Sequence, residues 1–318
     1  MNKVLVTGAC GLIGEHICSG LLERGNIVVA LDSKSSQYNE NKENYRFEKA
    51  DYADKAIFER IFRQEKIDAV IHVACTVDND LSNIVTSEDV KKSQMYDDFL
   101  YSMALESGVG KFILISTSQV YEFPKSREPI RETDKVKIDS NYAKLKYDSE
   151  RKLATVINGK TSMISAALRV APVYTNDYSE NLLSKIIDPD TKSLFIYHNG
   201  EYGFHFCCLH NLVEFILCFL KVAESTKYTG IYNICDEHTI SVREIIKYAR
   251  ERNTFGPVLQ RKVNMDLLKN KLGKITNRNE AKTNYRYIDL ETFFNNNILD
   301  GTKAKKVCNF KWNIDNTK

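Results

Sequence analysis

Tyr142 and Lys146 stand four residues apart in the run Tyr142-Ala143-Lys144-Leu145-Lys146. On a helix that spacing puts both side chains on one face, one turn apart. A phenol with a free pKa of about 10 is a poor base at neutral pH, and a neighbouring ammonium stabilises its phenolate. The pair can therefore take and return a proton. Upstream, Ser116-Thr117-Ser118 ends the β-branched run Lys111–Ser116, at the carboxyl edge where open α/β sheets hold their ligands. Thr117 can hold a substrate oxygen there by hydrogen bond. A tyrosine and a lysine at this spacing also arise by chance, with the phenol packed and the amine solvated, so the rest of the chain decides their meaning.

A second constellation lies at the start. The strand-like run Val4–Thr7 leads into Gly8-Ala9-Cys10-Gly11-Leu12-Ile13-Gly14 and then a helical pattern. Gly8 permits a tight turn, Gly11 lets backbone amides approach a pyrophosphate, and Gly14 lets the helix pack closely on the strand. The helix N-terminus faces the negative charge. Asp32 closes the next strand, eighteen residues beyond Gly14, where a carboxylate accepts from the adenosine ribose hydroxyls and repels a 2′-phosphate. NAD is favoured over NADP, although Lys34 offsets part of that repulsion. Asp51, just past the third strand, suits the adenine amino group or is a solvated turn residue.

These residues need elements that hold them. Strands are predicted at Val4–Thr7, Ile27–Leu31, Tyr45–Glu48, Ala69–Val73, Lys111–Ser116 and Met163–Leu168, and helices near Leu12–Arg24, Lys55–Gln64, Asp89–Glu106 and Tyr142–Ile157. Gly25, Gly108 and Gly159 can cap three of them in a left-handed conformation. The alternation predicts an α/β fold, a Rossmann-type doubly wound parallel sheet with a smaller C-terminal α/β substrate domain. Residues 1–170 form the dinucleotide-binding domain, with 205–235 packing back onto it, and residues 171–318 are mainly the substrate-binding domain. Further on, a helix from Asn211, a strand Ile231–Ile234 and a helix from Ser241 are read, the last with capping-box spacing to Glu244.

Composition narrows the classes. A chain of 318 residues with 43% hydrophobic content can bury a full core. Its 45 basic and 42 acidic residues are balanced and scattered, which argues against a nucleic-acid partner. The stretch Leu212–Ala223 is too short to span a bilayer and holds Glu214 and Lys221, so no membrane segment is expected. The first strand begins so early that no secretory signal fits before it. Eight cysteines form no Cys-x-x-Cys pair, and the adjacent Cys207 and Cys208 cannot join without strain. They read as reduced core residues of a cytoplasmic protein. His72, His205 and His210 match no zinc spacing, and no metal is assigned.

The motifs TGACGLIG (Thr7–Gly14), Asp32, HVAC (His72–Cys75), STSQVY (Ser116–Tyr121), YAKLK (Tyr142–Lys146), LRVAPVY (Leu168–Tyr174), GIYNIC (Gly230–Cys235) and FKW (Phe310–Trp312) resemble the extended short-chain dehydrogenase/reductase family, the nucleotide-sugar epimerases and dehydratases. The resemblance runs over nearly the whole chain and is strongest before residue 175. It implies Thr117, Tyr142 and Lys146 as the catalytic triad. It places Leu12, Ile13, Asp32, Asp51, Tyr52, Ala74 and Ser116 beside the cofactor, with Gly8, Gly11 and Gly14, and Tyr142 and Lys146 reaching the nicotinamide. A homodimer through the helices around Asp89–Glu106 and Tyr142–Ile157 is implied as well.

Departures from the family pattern bear on the substrate. Dehydratases of this family carry an aspartate and a glutamate after the catalytic threonine, where this chain has Ser118 and Gln119, neither a carboxyl acid or base. Ser93 stands where the family usually has an asparagine near the nicotinamide. An Arg-Asp-Phe run that often reaches the diphosphate reads Phe204-His205-Phe206 here. Ser118, Gln119 and His205 become candidate substrate contacts, and Arg243 or Arg261 candidates for the missing charge. The leading reading is an NAD-dependent epimerase of a nucleotide sugar, at carbon 4. The alternatives are a net dehydrogenase or ketoreductase with NAD or NADP, and a non-catalytic dinucleotide sensor.

Overall fold

Val4, Leu5 and Val6 are all fully buried, as a strand covered on both faces requires. Val4 and Val6 meet Ile17 and Leu21 on one side, whereas Leu5 meets Phe58, Ile61, Leu100 and Tyr101 on the other. The period-2 alternation of a strand thus feeds two separate helical layers. The computed structural model describes residues 1–35, 43–51, 54–75, 85–123, 128–157, 162–187, 196, 200–223, 225–252 and 297–317.

Its main sheet is built from Lys3–Thr7 (β1), Ile27–Asp32 (β2), Tyr45–Lys49 (β3), Ala69–His72 (β4), Lys111–Thr117 (β5), Ile164–Val170 (β6) and Gly230–Ile234 (β10). The order is β3-β2-β1-β4-β5-β6-β10, and every neighbouring pair is parallel. Strand order reverses between β1 and β4, and ligands of open α/β sheets bind at such a reversal. The helices are Leu12–Glu23 (α1), Lys55–Gln64 (α2), Ser87–Glu106 (α3), Asn141–Ile157 (α4), Glu180–Leu183 (α5), Leu209–Phe219 (α6), Val242–Glu251 (α7) and Thr302–Lys305 (α8).

A smaller cluster of Tyr174, Leu182, Phe204, Phe206, Ile245 and Tyr248 is framed by two short ribbons. Val173–Tyr174 (β7) pairs with Cys207–Cys208 (β9), and Gly203–Phe204 (β8) with Ile240–Ser241 (β11). Its polar anchor is the buried Asp236. The Asp236 carboxylate accepts from the Cys208 amide and Asn211 Nδ2, both at 2.8 Å, and from the Tyr174 hydroxyl at 2.6 Å.

Several elements differ from the sequence expectation for physical reasons. The sheet has seven parallel strands rather than six, because β10 pairs with β6 in register from Gly230 opposite Ala166. β6 runs two residues further than predicted and so carries Arg169 within the sheet. α3 begins at Ser87 because Thr86 and Asp89 close a reciprocal capping box. The box of Ser241 and Glu244 starts α7. Gly25 and Gly108 adopt φ of 74° and 71°, the left-handed caps their positions call for, and Gly159 lies outside the described residues. The apolar stretch after Leu209 forms α6 against α1, where a Cβ at Gly20 would meet Val213 Cγ1 at 2.4 Å. Lys111 Nζ donates to the carbonyls of Leu220 and Val222 at 2.6 and 2.9 Å and closes that helix. No helix among the described residues is long and apolar enough to cross a membrane.

Candidate active site

The glycine turn is fixed sterically at two of its three glycines. Gly8 has φ of 70°, and a Cβ there would stand 2.7 Å from the Ala74 nitrogen. At Gly14 a Cβ would fall 2.0 Å from the Gly8 carbonyl oxygen. Gly11 is different, since its nearest neighbour would be 3.6 Å away. The protein leaves room at Gly11, and that is where a diphosphate must approach the backbone. α1 also lacks a side-chain cap, whereas Asp54, Thr86 and Ser241 cap α2, α3 and α7. The first-turn amides around the half-buried Leu12 and Ile13 therefore remain available to an anion. Room at Gly11, the uncapped helix and the carboxylate of Asp32 fit a dinucleotide.

Asp32, at the end of β2, leans over this turn. Its Oδ2 accepts from the Cys10 amide and its Oδ1 from the Lys34 amide, both at 2.9 Å. Burial, then the charge of Asp32, pushes the Cys10 thiol up to about 11, so it stays neutral. Asp51 is exposed just past β3, and its carbonyl accepts from the Asp54 amide at 2.9 Å. Tyr52 lies outside the described residues. Ala74 follows β4 half-buried, its amide donating to the Thr7 carbonyl at 3.1 Å.

On the other side of the strand reversal, Thr117 ends β5, and its Oγ1 accepts from the Gln119 amide at 3.2 Å. That bond starts a 3-10 turn, Ser118–Val120. Thr117 and Ser118 are buried and Gln119 is half-buried. α4 starts where the Ser140 hydroxyl accepts from the Ala143 amide at 3.1 Å. On its first two turns Lys146 is buried, and Tyr142 is half-buried against the cluster of Val85, Val90 and Leu145. Cys75, which directly follows Ala74, packs on the same cluster, so the Tyr142 end of α4 lies toward the carboxyl edge of β4. The fold thus brings the Tyr142 row and the glycine turn to the same edge of the sheet.

Other expected residues fall elsewhere. Ser116 turns its hydroxyl to Glu150 Oε1 at 2.5 Å. Ser93 is buried on α3. His205 was expected at the substrate, yet it is turned inward at 8% exposure, with Nδ1 accepting from the Leu299 amide at 2.8 Å. Burial lowers its pKa to about 4, so it is neutral at physiological pH. Arg243 sits at the start of α7, exposed, 3.6 Å from Glu201. Arg261 lies outside the described residues. His72 is a core residue: Nδ1 faces Thr7 Oγ1 at 2.7 Å and Nε2 faces Asp97 Oδ1 at 3.0 Å.

Sequence reading missed the buried pair Glu150 and Arg169, which ties α4 to β6. Arg169 Nη2 donates to Glu150 Oε2 at 2.7 Å, and its Nε reaches both carboxylate oxygens at 3.1 Å. The available signal was that Glu150 follows Lys146 by another four residues, on the same helix face.

The parallel sheet with its strand reversal and glycine turn defines a Rossmann-type dinucleotide-binding fold. The model of the NAD dependent epimerase/dehydratase family matches residues 4–235, and the chain belongs to that family. It is 27% identical over 284 residues to the human dTDP-D-glucose 4,6-dehydratase, covering 80% of this chain and 75% of that protein. Over 279 residues it is 25% identical to the UDP-glucose 4-epimerase of Lactobacillus helveticus, covering 78% and 81%. Among solved structures, the UDP-glucose 4-epimerase of Thermus thermophilus in complex with NAD is 25% identical at a TM-score of 0.62, over 82% of this chain and 86% of that one. The Thermotoga maritima UDP-glucose 4-epimerase, solved with UDP-glucose, shares the fold at a TM-score of 0.66 and 22% identity, over 96% and 91% of the chains.

Proposed function

We propose that this chain is an NAD-dependent nucleotide-sugar epimerase acting at carbon 4. One observation carries the reading. α4 sets Tyr142 and the buried Lys146 on one face near the end of β5, where Thr117 is followed by Ser118 and Gln119 rather than by carboxylic acids. Tyr142 takes the hydroxyl proton of the sugar, the Lys146 ammonium stabilises the phenolate, and the Thr117 hydroxyl holds the same oxygen. NAD, when bound, supplies a reversible hydride acceptor. Ser118 and Gln119 cannot serve as the acid and base that would expel water from the keto sugar, and Tyr142 returns its proton after the ring has turned.

Gly8, Gly11, Leu12, Ile13 and Gly14 would hold the diphosphate of NAD, Asp32 its adenosine ribose, Asp51 and Tyr52 the adenine side, and Ala74 and Ser116 the nicotinamide side. NADP is disfavoured by the Asp32 carboxylate. Ser118 and Gln119 would line the sugar and Arg243 would supply charge for the nucleotide. The inward setting of His205 argues against a direct contact by its ring in this conformation. We assign dinucleotide binding to residues 1–170 with 205–235, and substrate binding mainly to the rest of 171–318. The working form is a homodimer through α3 and α4, in the cytoplasm.

The test is incubation of the purified protein with UDP-, GDP- and dTDP-hexoses. Conversion of one isomer to its carbon-4 epimer with no net change at 340 nm is expected, and Tyr142→Phe should lower the rate at least about 100-fold. Stoichiometric change at 340 nm would make it a net oxidoreductase. Release of a 4-keto-6-deoxy product would make it a dehydratase, and retention of every isomer would sink the epimerase reading.

A further inference from the structure

Tyr142, Lys146 and Glu150 form one row along α4, spaced four residues apart. Glu150 lies about 12 Å down the helix from Tyr142, eight residues at a rise of about 1.5 Å each. At that point the helix is tied to the sheet through a buried fork. Arg169 of β6 clasps both oxygens of Glu150, and Ser116 of β5 donates to Oε1 at 2.5 Å. Ser116 and Arg169 are register partners across β5 and β6, so the two donors come from one rigid patch of sheet. Ser116 immediately precedes Thr117.

The fork is itself held. The Tyr121 ring lies 4.6 Å from the Arg169 guanidinium carbon, and the Tyr121 hydroxyl donates to Asn233 Oδ1 of β10 at 2.7 Å. The remaining Arg169 nitrogen reaches the Glu132 carbonyl at 3.4 Å. Burial works against the Arg169 charge, but the hydrogen bonds and charge of Glu150 outweigh it and raise its pKa. A buried pair of this kind is often replaceable by apolar residues with little loss of stability. What apolar residues cannot reproduce is direction, because a planar fork on a carboxylate admits one geometry.

We propose that Glu150 is a positioning residue: held by Arg169 and Ser116, it sets where α4 lies along the end of β5 and so places the Tyr142 phenol against Thr117 and the nicotinamide. A helix moves as a body, so a shift at Glu150 is delivered to Tyr142. The inference rests on the assignment of Tyr142 above, but not on the identity of the sugar.

The test uses NAD as its probe and needs no substrate. Absorbance at 295 nm against pH, taken as the wild type minus Tyr142→Phe, reads the phenolate of Tyr142 with and without NAD. The positive nicotinamide should lower the midpoint. Among the described residues, Arg169 from β6 and Ser116 from β5 bond Glu150, with the Tyr121 ring and the Glu132 carbonyl on Arg169. Glu150→Asp leaves every one of those charges in place and shortens only the reach. In that variant, measured against its own Tyr142→Phe double, the NAD-induced lowering should shrink while the Kd for NAD stays within about threefold. On the sugar nucleotide found by the hexose panel, kcat should fall about 10- to 100-fold with KM nearly unchanged, the loss expected when reacting groups are misplaced by about 1 Å. Ser116→Ala should shrink the NAD-induced lowering more weakly, whatever it does to the Kd for NAD.

A full NAD-induced shift in both variants would overturn the proposal, as would a loss confined to NAD affinity, which would make Ser116 a cofactor contact only. If Glu150→Asp does not fold, Ser116→Ala decides alone. Failure of the hexose panel with the tyrosine shift intact would refute the epimerase and leave the positioning role standing. Failure of the wild type to bind NAD would refute both.

Discussion

Two buried carboxylates hold two regions of the molecule in different ways. Glu150, under the candidate active site, faces a guanidinium that meets it with three contacts. Asp236, at the root of the smaller cluster, has three neutral donors: a phenol, an amide side chain and a backbone amide. Burial raises Asp236 to about 6, and its hydrogen bonds pull against that. Glu150 is answered by a charge, whereas Asp236, answered only by dipoles, sits close to its own titration.

The same acid-to-amide replacement should therefore have opposite results at the two sites. Glu150→Gln leaves the Arg169 charge buried without its counterion and should lower stability by about 3–5 kcal/mol at pH 7. A melting curve that moves by less than about 1 kcal/mol would mean that water reaches Arg169 and that the contrast is false.

The wild type carries the next largest effect, in its pH dependence. Burial raises the folded pKa of Asp236 above its ordinary value of 3.8 to about 6, so between those values the folded state binds the extra proton. Its contribution is fully present below about 4 and is lost as pH rises through about 6, a total of about 3 kcal/mol. In Asp236→Asn that slope should vanish from denaturant titrations at pH 4 and pH 7. The amide oxygen can still accept from Cys208 and Asn211, and its NH2 can donate to the Tyr174 oxygen, so stability at pH 7 should stay within about 1 kcal/mol. An equal slope in wild type and variant would show that Asp236 is not the group responsible.

Tyr174→Phe removes one donor from the Asp236 carboxylate. It should cost about 1–2 kcal/mol and extend the pH window upward, because that hydrogen bond favours the charged form. A downward move would contradict the neutral-donor account. Smallest of all is the exposed pair of Arg24 and Glu214, 2.8 Å apart between α1 and α6. Arg24→Ala should change stability by less than about 0.5 kcal/mol, and a larger loss would mean that exposed charges count here as much as buried ones.

The parts legible in the sequence were those written in short-range terms. The glycine turn was readable because Gly8 and Gly14 answer contacts within the strand-turn-helix unit or with Ala74. The capping box of Ser241 and Glu244 spans three residues. The row of Tyr142 and Lys146 is one turn of helix. Neither carboxylate could be read that way. Arg169 reaches Glu150 only once β6 lies beside β5, and the donors to Asp236 come from positions 25 to 62 residues away. The inward turn of His205 was hidden for the same reason, since Leu299, which engages its ring, is 94 residues along the chain.

The contact at Gly20 bears on how far the chain can be divided. α1 belongs to the opening βαβ unit and α6 to a stretch almost 200 residues later, yet they touch where a methyl group on Gly20 would not fit. A fragment stopped at residue 170 would bare the face of α1 around Gly20 and, without β10, leave the backbone edge of β6 unpaired. Such an edge is a template for association with other chains, so the dinucleotide-binding portion cannot be excised as a contiguous piece; a working minimal version has to carry the later helix and strand with it.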